Sequence, residues 1–174
     1  MRKTALGIGS AVAIWLALTA QTSPPAATQE VHATLNQLMR GVVYPAANVV
    51  FSPQFNDPGV SRPAPDDDPA MATDPLVSVF GGWQAVENAS LALTESANLL
   101  LMPGRVCSNG APVPIADPAW SKFVLELRDA GLQAYAAAKA EDRDKMIELS
   151  STVNDACVHC HRKWRPRVEE NRCK

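Results

Sequence analysis

Residues 142–164 read DRDKMIELSSTVNDACVHCHRKW. Asp142 is a favourable helix N-cap, and apolar side chains recur after it at helical spacing. Within this stretch, Cys157, Cys160 and His161 place two thiols and an imidazole at positions i, i+3 and i+4. Side chains at these positions share one face of a helix. The stretch therefore predicts a long amphipathic helix that presents all three groups on the same side.

The spacing of these three residues, C-x-x-C-H, is the one at which haem c is attached. Two thiols can add to the porphyrin vinyl groups, and the imidazole that follows can reach iron from the same side. The motif predicts one covalently bound haem c. Cys157 and Cys160 are the expected attachment points, and His161 is the expected proximal iron ligand.

Three other uses of the cysteines compete with this interpretation. A thioredoxin-type redox pair lies at a helix N-terminus, whereas this pair lies more than three turns into a predicted helix. A zinc site could combine Cys157, Cys160, His161 and Cys173, but zinc knuckles usually lie on turns. A disulfide between Cys157 and Cys160 would close a small, strained ring within one helical turn.

Three further helices are predicted before the last one. The first spans 29–51. It has a kink at Pro45 or divides there into two shorter helices, because proline removes one backbone hydrogen bond and clashes with the carbonyl four residues earlier. The second begins within 75–83 and ends before Pro103, and the third begins at Asp117. Short connections between the last three helices make them antiparallel neighbours. The predicted fold is all-α, an up-down-up-down antiparallel four-helix bundle with haem c bound near the C-terminal helix.

The composition excludes some classes of function. The chain has 174 residues, of which 47% are hydrophobic and 20% are charged, and its net charge is -2. This is typical of a soluble globular protein and indicates no polycationic surface for nucleic acid. No pairing of a nucleophile with a base, and no paired carboxylates on a helix, stand out in the sequence. We therefore do not expect an enzyme.

The N-terminus has the layout of a secretory signal peptide. Residues 1–20 combine a basic start with an apolar run, and polar, proline-rich sequence follows. The predicted organisation is a signal peptide over 1–20, a flexible linker over 21–28 and a four-helix-bundle haem domain over 29–174. An uncleaved membrane anchor is the alternative, although the apolar run is short for a membrane span. Cleavage would leave a periplasmic protein without a stable membrane span.

A C-x-x-C-H motif in the last of four helices, near the chain end, resembles the cytochrome c′ family of class II c-type cytochromes. Cys157, Cys160 and His161 match the haem attachment and proximal ligand of that family. The family often has an aromatic residue three positions after the histidine and a basic residue next. Here these are Trp164, in place of the more usual tyrosine, and Arg165. The resemblance also implies that a homodimer can form.

The same resemblance makes Met39 a candidate sixth iron ligand, because the first helix of the family faces the distal side of the haem. Methionine on an apolar stripe can equally be a core residue. His32 is a weaker candidate and is expected to be exposed. With Met39 bound, we expect a periplasmic electron carrier whose partners are other redox proteins of the cell envelope. Without it, an apolar pocket of Leu35, Leu38 and Val42 would suit binding of nitric oxide or carbon monoxide.

Trp164 and Arg165, which follow the motif, are expected to contact the haem. Trp164 lies one turn beyond His161 on the same face, where it can pack against the haem edge and also belong to the core. Arg165 can pair with a haem propionate, since guanidinium suits carboxylates, or it can be a solvated surface residue.

The remaining cysteines, Cys107 and Cys173, are predicted to form a disulfide. Free thiols are uncommon in an oxidising compartment. Cys107 follows the second helix and Cys173 follows the fourth, and in an antiparallel bundle these two helix ends lie at the same pole.

Overall fold

The computed structural model describes residues 30–60, 81–165 and Cys173. The chain divides into two units, Met1–Glu30 and Val31–Lys174, and the features below belong to the second. The predicted signal peptide and linker lie outside the described residues. Within the described ranges, no helix has the length and apolar character needed to cross a membrane.

The described part of the chain is mostly helical, contains no strand and has four helical segments packed against one another. The first segment consists of α1 (Leu35–Leu38), a π-helical turn (Met39–Val43), α2 (Tyr44–Phe51) and a 3₁₀ turn (Ser52–Gln54). The others are α3 (Trp83–Leu100), α4 (Pro118–Lys139) and α5 (Arg143–Trp164). α2 packs against α3 and α5, and α4 packs against α3 and α5. The prediction of an all-helical fold is confirmed for these residues.

The caps explain where three of the helices begin. The Asp117 carboxylate accepts from the Ala119 N–H, and the Asp142 carboxylate accepts from the Lys145 N–H, each at 2.9 Å. The predicted starts of α4 and α5 are confirmed. The predicted start of the first helix at residue 29 is wrong, because Thr34 caps the helix through a reciprocal pair of hydrogen bonds with the residue three positions on.

The irregularity predicted at Pro45 takes a different form. The segment continues through Pro45 as helix, and the π-helical turn immediately precedes it. The Tyr44 N–H donates to the Met39 carbonyl, five residues back. Because Pro45 has no N–H and its ring crowds the Gly41 carbonyl, a regular α-turn is unfavourable at this point. A wider turn relieves the crowding without breaking the helix.

Gly82 fixes the start of α3. Its φ is +62°, and a Cβ at this position would lie 2.8 Å from the Pro58 carbonyl oxygen. Only glycine meets both conditions without strain. The helix therefore begins at Trp83, at the late end of the predicted range.

Another glycine allows α3 and α4 to approach closely. A Cβ at Gly131 would lie 2.5 Å from Thr94 Oγ1. The core beside this contact is mainly apolar and also contains the buried polar side chains of Ser90, Thr94 and Ser96. Its largest buried side chains include Leu93, Met146, Val50, Val86, Val124 and Val153.

Hydrogen bonds bring together the start of the first segment, the end of α3, the start of α4 and the end of α5. The Leu35 N–H donates to the Val106 carbonyl at 2.8 Å, just after α3. The Trp120 indole N–H donates to the last carbonyl of α3 at 3.1 Å. Lys163 Nζ lies 2.7 Å from Asp117 Oδ2, which links α5 to the start of α4.

A separate contact joins the other ends of the first segment and α5. Arg143, the first residue of α5, donates through Nε to the Pro53 carbonyl at 3.0 Å. Pro53 belongs to the 3₁₀ turn that follows α2. The end of the first segment and the start of α5 therefore lie at the same height.

The predicted disulfide between Cys107 and Cys173 is confirmed, with a Cα–Cα distance of 6.0 Å. Both residues are buried. The Cys173 N–H also donates to the Trp164 carbonyl at 2.8 Å. The bond ties the chain after α5 to the loop after α3.

Candidate functional site

Cys157 and Cys160 lie in the last two turns of α5, and both thiols are free. Each is partly buried and packs against the hydrophobic core. The alternative of a disulfide between them is therefore wrong. The four-residue zinc set is also wrong, because Cys173 is bonded to Cys107. Among the residues that the structure describes, no cluster of three or more His, Cys, Asp or Glu side chains could hold a metal ion.

Electrostatics keep both thiols protonated. Burial raises the pKa of Cys157. Burial, followed by the neighbouring Cys157 and Glu126, raises the pKa of Cys160 to about 12. A thioredoxin-type pair needs the opposite shift, since its nucleophile is a thiolate of lowered pKa. The redox-dithiol alternative therefore lacks its electrostatic basis.

Alkylation of native apoprotein is expected to be slow at Cys160. Only the thiolate reacts, and a pKa of about 12 leaves it scarce near neutral pH. Relative to a cysteine with an ordinary pKa of about 8.5, the rate falls by roughly a thousandfold at about pH 8. The rate should then rise tenfold for each further pH unit. Iodoacetamide labelling of native and denatured apoprotein, followed by mass spectrometry, measures the ratio, and equal rates would contradict the expectation.

His161 is partly buried in the last turn of α5. Burial lowers the pKa of its imidazole, and the positive charge of Arg165 lowers it further. The ring is therefore neutral near neutral pH, and neutral imidazole is the form that ligates metals. The Arg165 N–H donates to the His161 carbonyl at 3.0 Å, and the Arg165 side chain is exposed. Its pairing with a propionate stays a prediction.

Trp164 is a core residue at 5% exposure. Its ring meets those of Trp120 and Phe123 edge to face, with centroid separations of 5.0 and 5.7 Å. Lys163 Nζ lies 4.8 Å from the Trp164 ring centroid. These contacts fix the end of α5 against α4, and packing of Trp164 on a haem edge stays a prediction.

α4 contacts the flank of α5 that carries His159. His159 Nδ1 lies 2.8 Å from Glu126 Oε2, and its ring centroid is 5.7 Å from that of Phe123. Sequence reasoning missed these α4 partners, since no local signal gives the register between two helices. Cys157 lies two residues before His159 and His161 lies two residues after it, each about 200° around the helix from His159, so both lie on a different flank.

A groove borders that second flank. It has a volume of about 350 Å³ and lies between the end of the first segment and the first half of α5. It is lined by Phe51, Gln54, Ile147, Ser150, Ser151 and Asn154. Ser150 and Asn154 precede Cys157 by seven and three residues, and Asn154 precedes His161 by seven. Since these separations are close to whole turns, the stripe of α5 that lines the groove continues to Cys157 and His161.

The two candidate distal ligands lie at the beginning of the first segment. Met39 is the first residue of the π-helical turn, and its side chain is partly buried against the core. His32 precedes α1 and is exposed, as expected. Met39 is thus on a different segment from Cys157 and His161, and its role as a ligand stays a prediction.

Arg105 is a buried cation that sequence reasoning missed. It is 6% exposed, and its two terminal nitrogens donate to the Ala33 carbonyl at 2.5 Å and the Leu99 carbonyl at 3.2 Å. Its Nε is buried and has no hydrogen-bond partner, and no described carboxylate pairs with it. Arg105 lies two residues before Cys107, and its partner Ala33 lies six residues before Met39. A buried guanidinium with a free N–H suits a group that carries carboxylates.

Comparisons of the chain with known protein families, with curated proteins and with solved structures found no match. The chemistry of the described residues is therefore the basis for assigning a function.

Proposed function

We propose that this protein is a periplasmic c-type cytochrome that transfers electrons through one haem c. Cys157 and Cys160 would attach the haem, and His161 would bind its iron. One observation carries the proposal: two free, protonated thiols and a neutral imidazole lie within five consecutive residues of α5, while Cys107 and Cys173 form a disulfide. When bound, haem iron carries one electron by cycling between two oxidation states.

The chain's own groups suit covalent attachment. Each protonated thiol would form a carbon–sulfur bond to one vinyl carbon and give its proton to the other, so no oxidant is required. The Cys157 and Cys160 sulfurs are partly buried against the core, where their attachment would exclude water from one side of the group. The unpaired Nε–H of Arg105 would suit a propionate carboxylate.

We propose that the four helical segments form an up-down-up-down bundle. The bonds from Leu35 to Val106 and from Lys163 to Asp117 support it, since they bring the start of the first segment and of α4 beside the ends of α3 and α5. The bond between Arg143 and Pro53 supports it from the opposite end.

This arrangement determines how far along the bundle axis Met39 lies. Met39 precedes Pro53 by fourteen residues, and Cys157 follows Arg143 by fourteen. Because Arg143 and Pro53 are in contact, Met39 and Cys157 both lie about 21 Å along the bundle from that contact. Met39 would then stand opposite the haem-attachment motif, where its thioether could bind the iron of a haem held there.

Met39→Leu tests this ligand while keeping the side-chain volume. We expect the wild-type holoprotein to be low-spin and to show a sulfur-to-iron absorption band, and the variant to lose the band and have a lower reduction potential. The reason is that a methionine axial ligand raises the potential. Met102→Leu, in the loop after α3, is the matched control and should change neither property.

The same spectra distinguish electron transfer from the alternative function, the binding of nitric oxide or carbon monoxide. A wild-type protein with a high-spin, five-coordinate iron that binds carbon monoxide would rule out Met39 as a ligand. It would favour binding of nitric oxide or carbon monoxide beside the apolar side chains of Leu35, Leu38 and Val42.

A further inference from the structure

The π-helical turn Met39–Val43 contains one more residue than an α-helical turn. Each residue of an α-helix advances about 100° around the axis. The extra residue therefore rotates everything before the turn by about 100° relative to α2.

The burial pattern shows which residue enters the buried stripe and which one leaves it. Val43, Ala46 and Val50 form the buried stripe of this segment and are spaced by three and four residues. Regular α-helical spacing would continue the stripe four residues before Val43, at Met39. Instead Leu38, five residues before Val43, is 5% exposed, while Met39 is only partly buried. The extra residue thus puts Leu38 into the core and moves Met39 to the edge of the stripe.

The side to which Met39 moves follows from Phe51, which lines the groove beside α5. Tyr44 lies seven residues before Phe51, close to two full α-helical turns, and so points to the same side. The hydrogen bond from the Tyr44 N–H to the Met39 carbonyl closes the wider turn and brings Met39 beneath Tyr44. Met39 is therefore on the side of the first segment that faces the Cys157 flank of α5.

That side is uncovered near the turn. Tyr44 is 65% exposed, although it points to the same side as Phe51, which is partly buried beside α5. The first segment and α5 are therefore in contact at Phe51 and leave room at the height of Tyr44.

We propose that the π-helical turn, imposed by Pro45, positions the Met39 side chain to bind the haem iron. In a regular helix, Met39 would be a core residue and Leu38 would lie at the edge of the buried stripe. Pro45 acts through Met39 and is a positioning residue, not a ligand. The inference rests on the proposed function, since it requires the haem held by Cys157, Cys160 and His161.

Two variants of the holoprotein test the inference. Pro45→Ala restores the backbone N–H and removes the ring, so the helix can close regularly and turn Met39 away by about 100°. We expect the sulfur-to-iron band to disappear, while haem attachment and helical content are unchanged. Deleting Gly41 in the Pro45→Ala background removes the extra residue and returns Met39 to its original side. A Cβ at Gly41 would meet nothing within 4 Å, so this position is open.

Recovery of the band in the second variant is the supporting result, because general damage to the helix would not be repaired by a deletion. A band that persists in Pro45→Ala, or one that is lost and not recovered by deleting Gly41, overturns the inference. A wild-type spectrum without the band overturns it at an earlier step, because it refutes ligation by Met39 itself. A wild-type protein without covalent haem is a failure of the proposed function and is recognised by mass before any variant is compared.

Discussion

Replacing Cys157 and Cys160 together with serine is expected to abolish covalent haem completely. A serine hydroxyl does not form the thioether, and no other free cysteine occurs among the described residues. The two substitutions keep nearly the same volume at two partly buried positions, so the helical fold should survive. Intact mass and absorbance after acid extraction measure the bound haem.

Two sets of controls separate attachment from folding. Each single variant, Cys157→Ser or Cys160→Ser, keeps one thiol and should retain haem through one bond. The disulfide variant Cys107→Ser with Cys173→Ser also removes two sulfurs and should retain haem through both. Haem that resists extraction in the Cys157→Ser, Cys160→Ser protein would show that these residues are not the attachment points.

Removing the disulfide is expected to have the largest effect on stability. The bond joins residues 66 positions apart, and the chain-entropy model gives about 4 kcal/mol for closing such a loop. Single domains have total unfolding free energies of about 5–15 kcal/mol, so this loss is a large fraction of the whole. The hydrogen bond from the Cys173 N–H to the Trp164 carbonyl would be weakened as well.

Denaturant unfolding of the Cys107→Ser, Cys173→Ser holoprotein measures the loss. Either single variant should be destabilised by a similar amount, because one missing sulfur already removes the bond. A change below about 1 kcal/mol would mean that the bond does not constrain the unfolded chain as this model requires. Titration of the denatured, unreduced wild-type holoprotein should find no free thiol.

The parts of the fold that local chemistry determines could be predicted from the sequence. Asp117 and Asp142 each precede a helical pattern and cap α4 and α5 as expected. The pairing of Cys107 with Cys173 followed from which helix ends lie together in a bundle. The positions of Cys157, Cys160 and His161 on one helix followed from spacing alone.

The π-helical turn, the start of the first helix and the burial of Arg105 could not be predicted from the spacing of apolar residues. Leu38 and Met39 are both apolar, so the sequence fits a core stripe with or without an extra residue in the turn before Pro45. The reciprocal hydrogen bonds of Thr34 and Gln37 begin the first helix at Leu35, although apolar residues occur at helical spacing before that point. Arg105 lies in a loop, where no periodicity indicates burial.

Covalent haem attachment can be measured from the intact mass and visible spectrum of wild-type protein produced in a host that attaches haem c. We expect a mass increase of one haem, a haem absorbance that stays with the protein after acid extraction, and no free thiol in the denatured chain. A polypeptide of unmodified mass with two titratable thiols, from cells in which a control c-type cytochrome is fully loaded, would contradict this expectation.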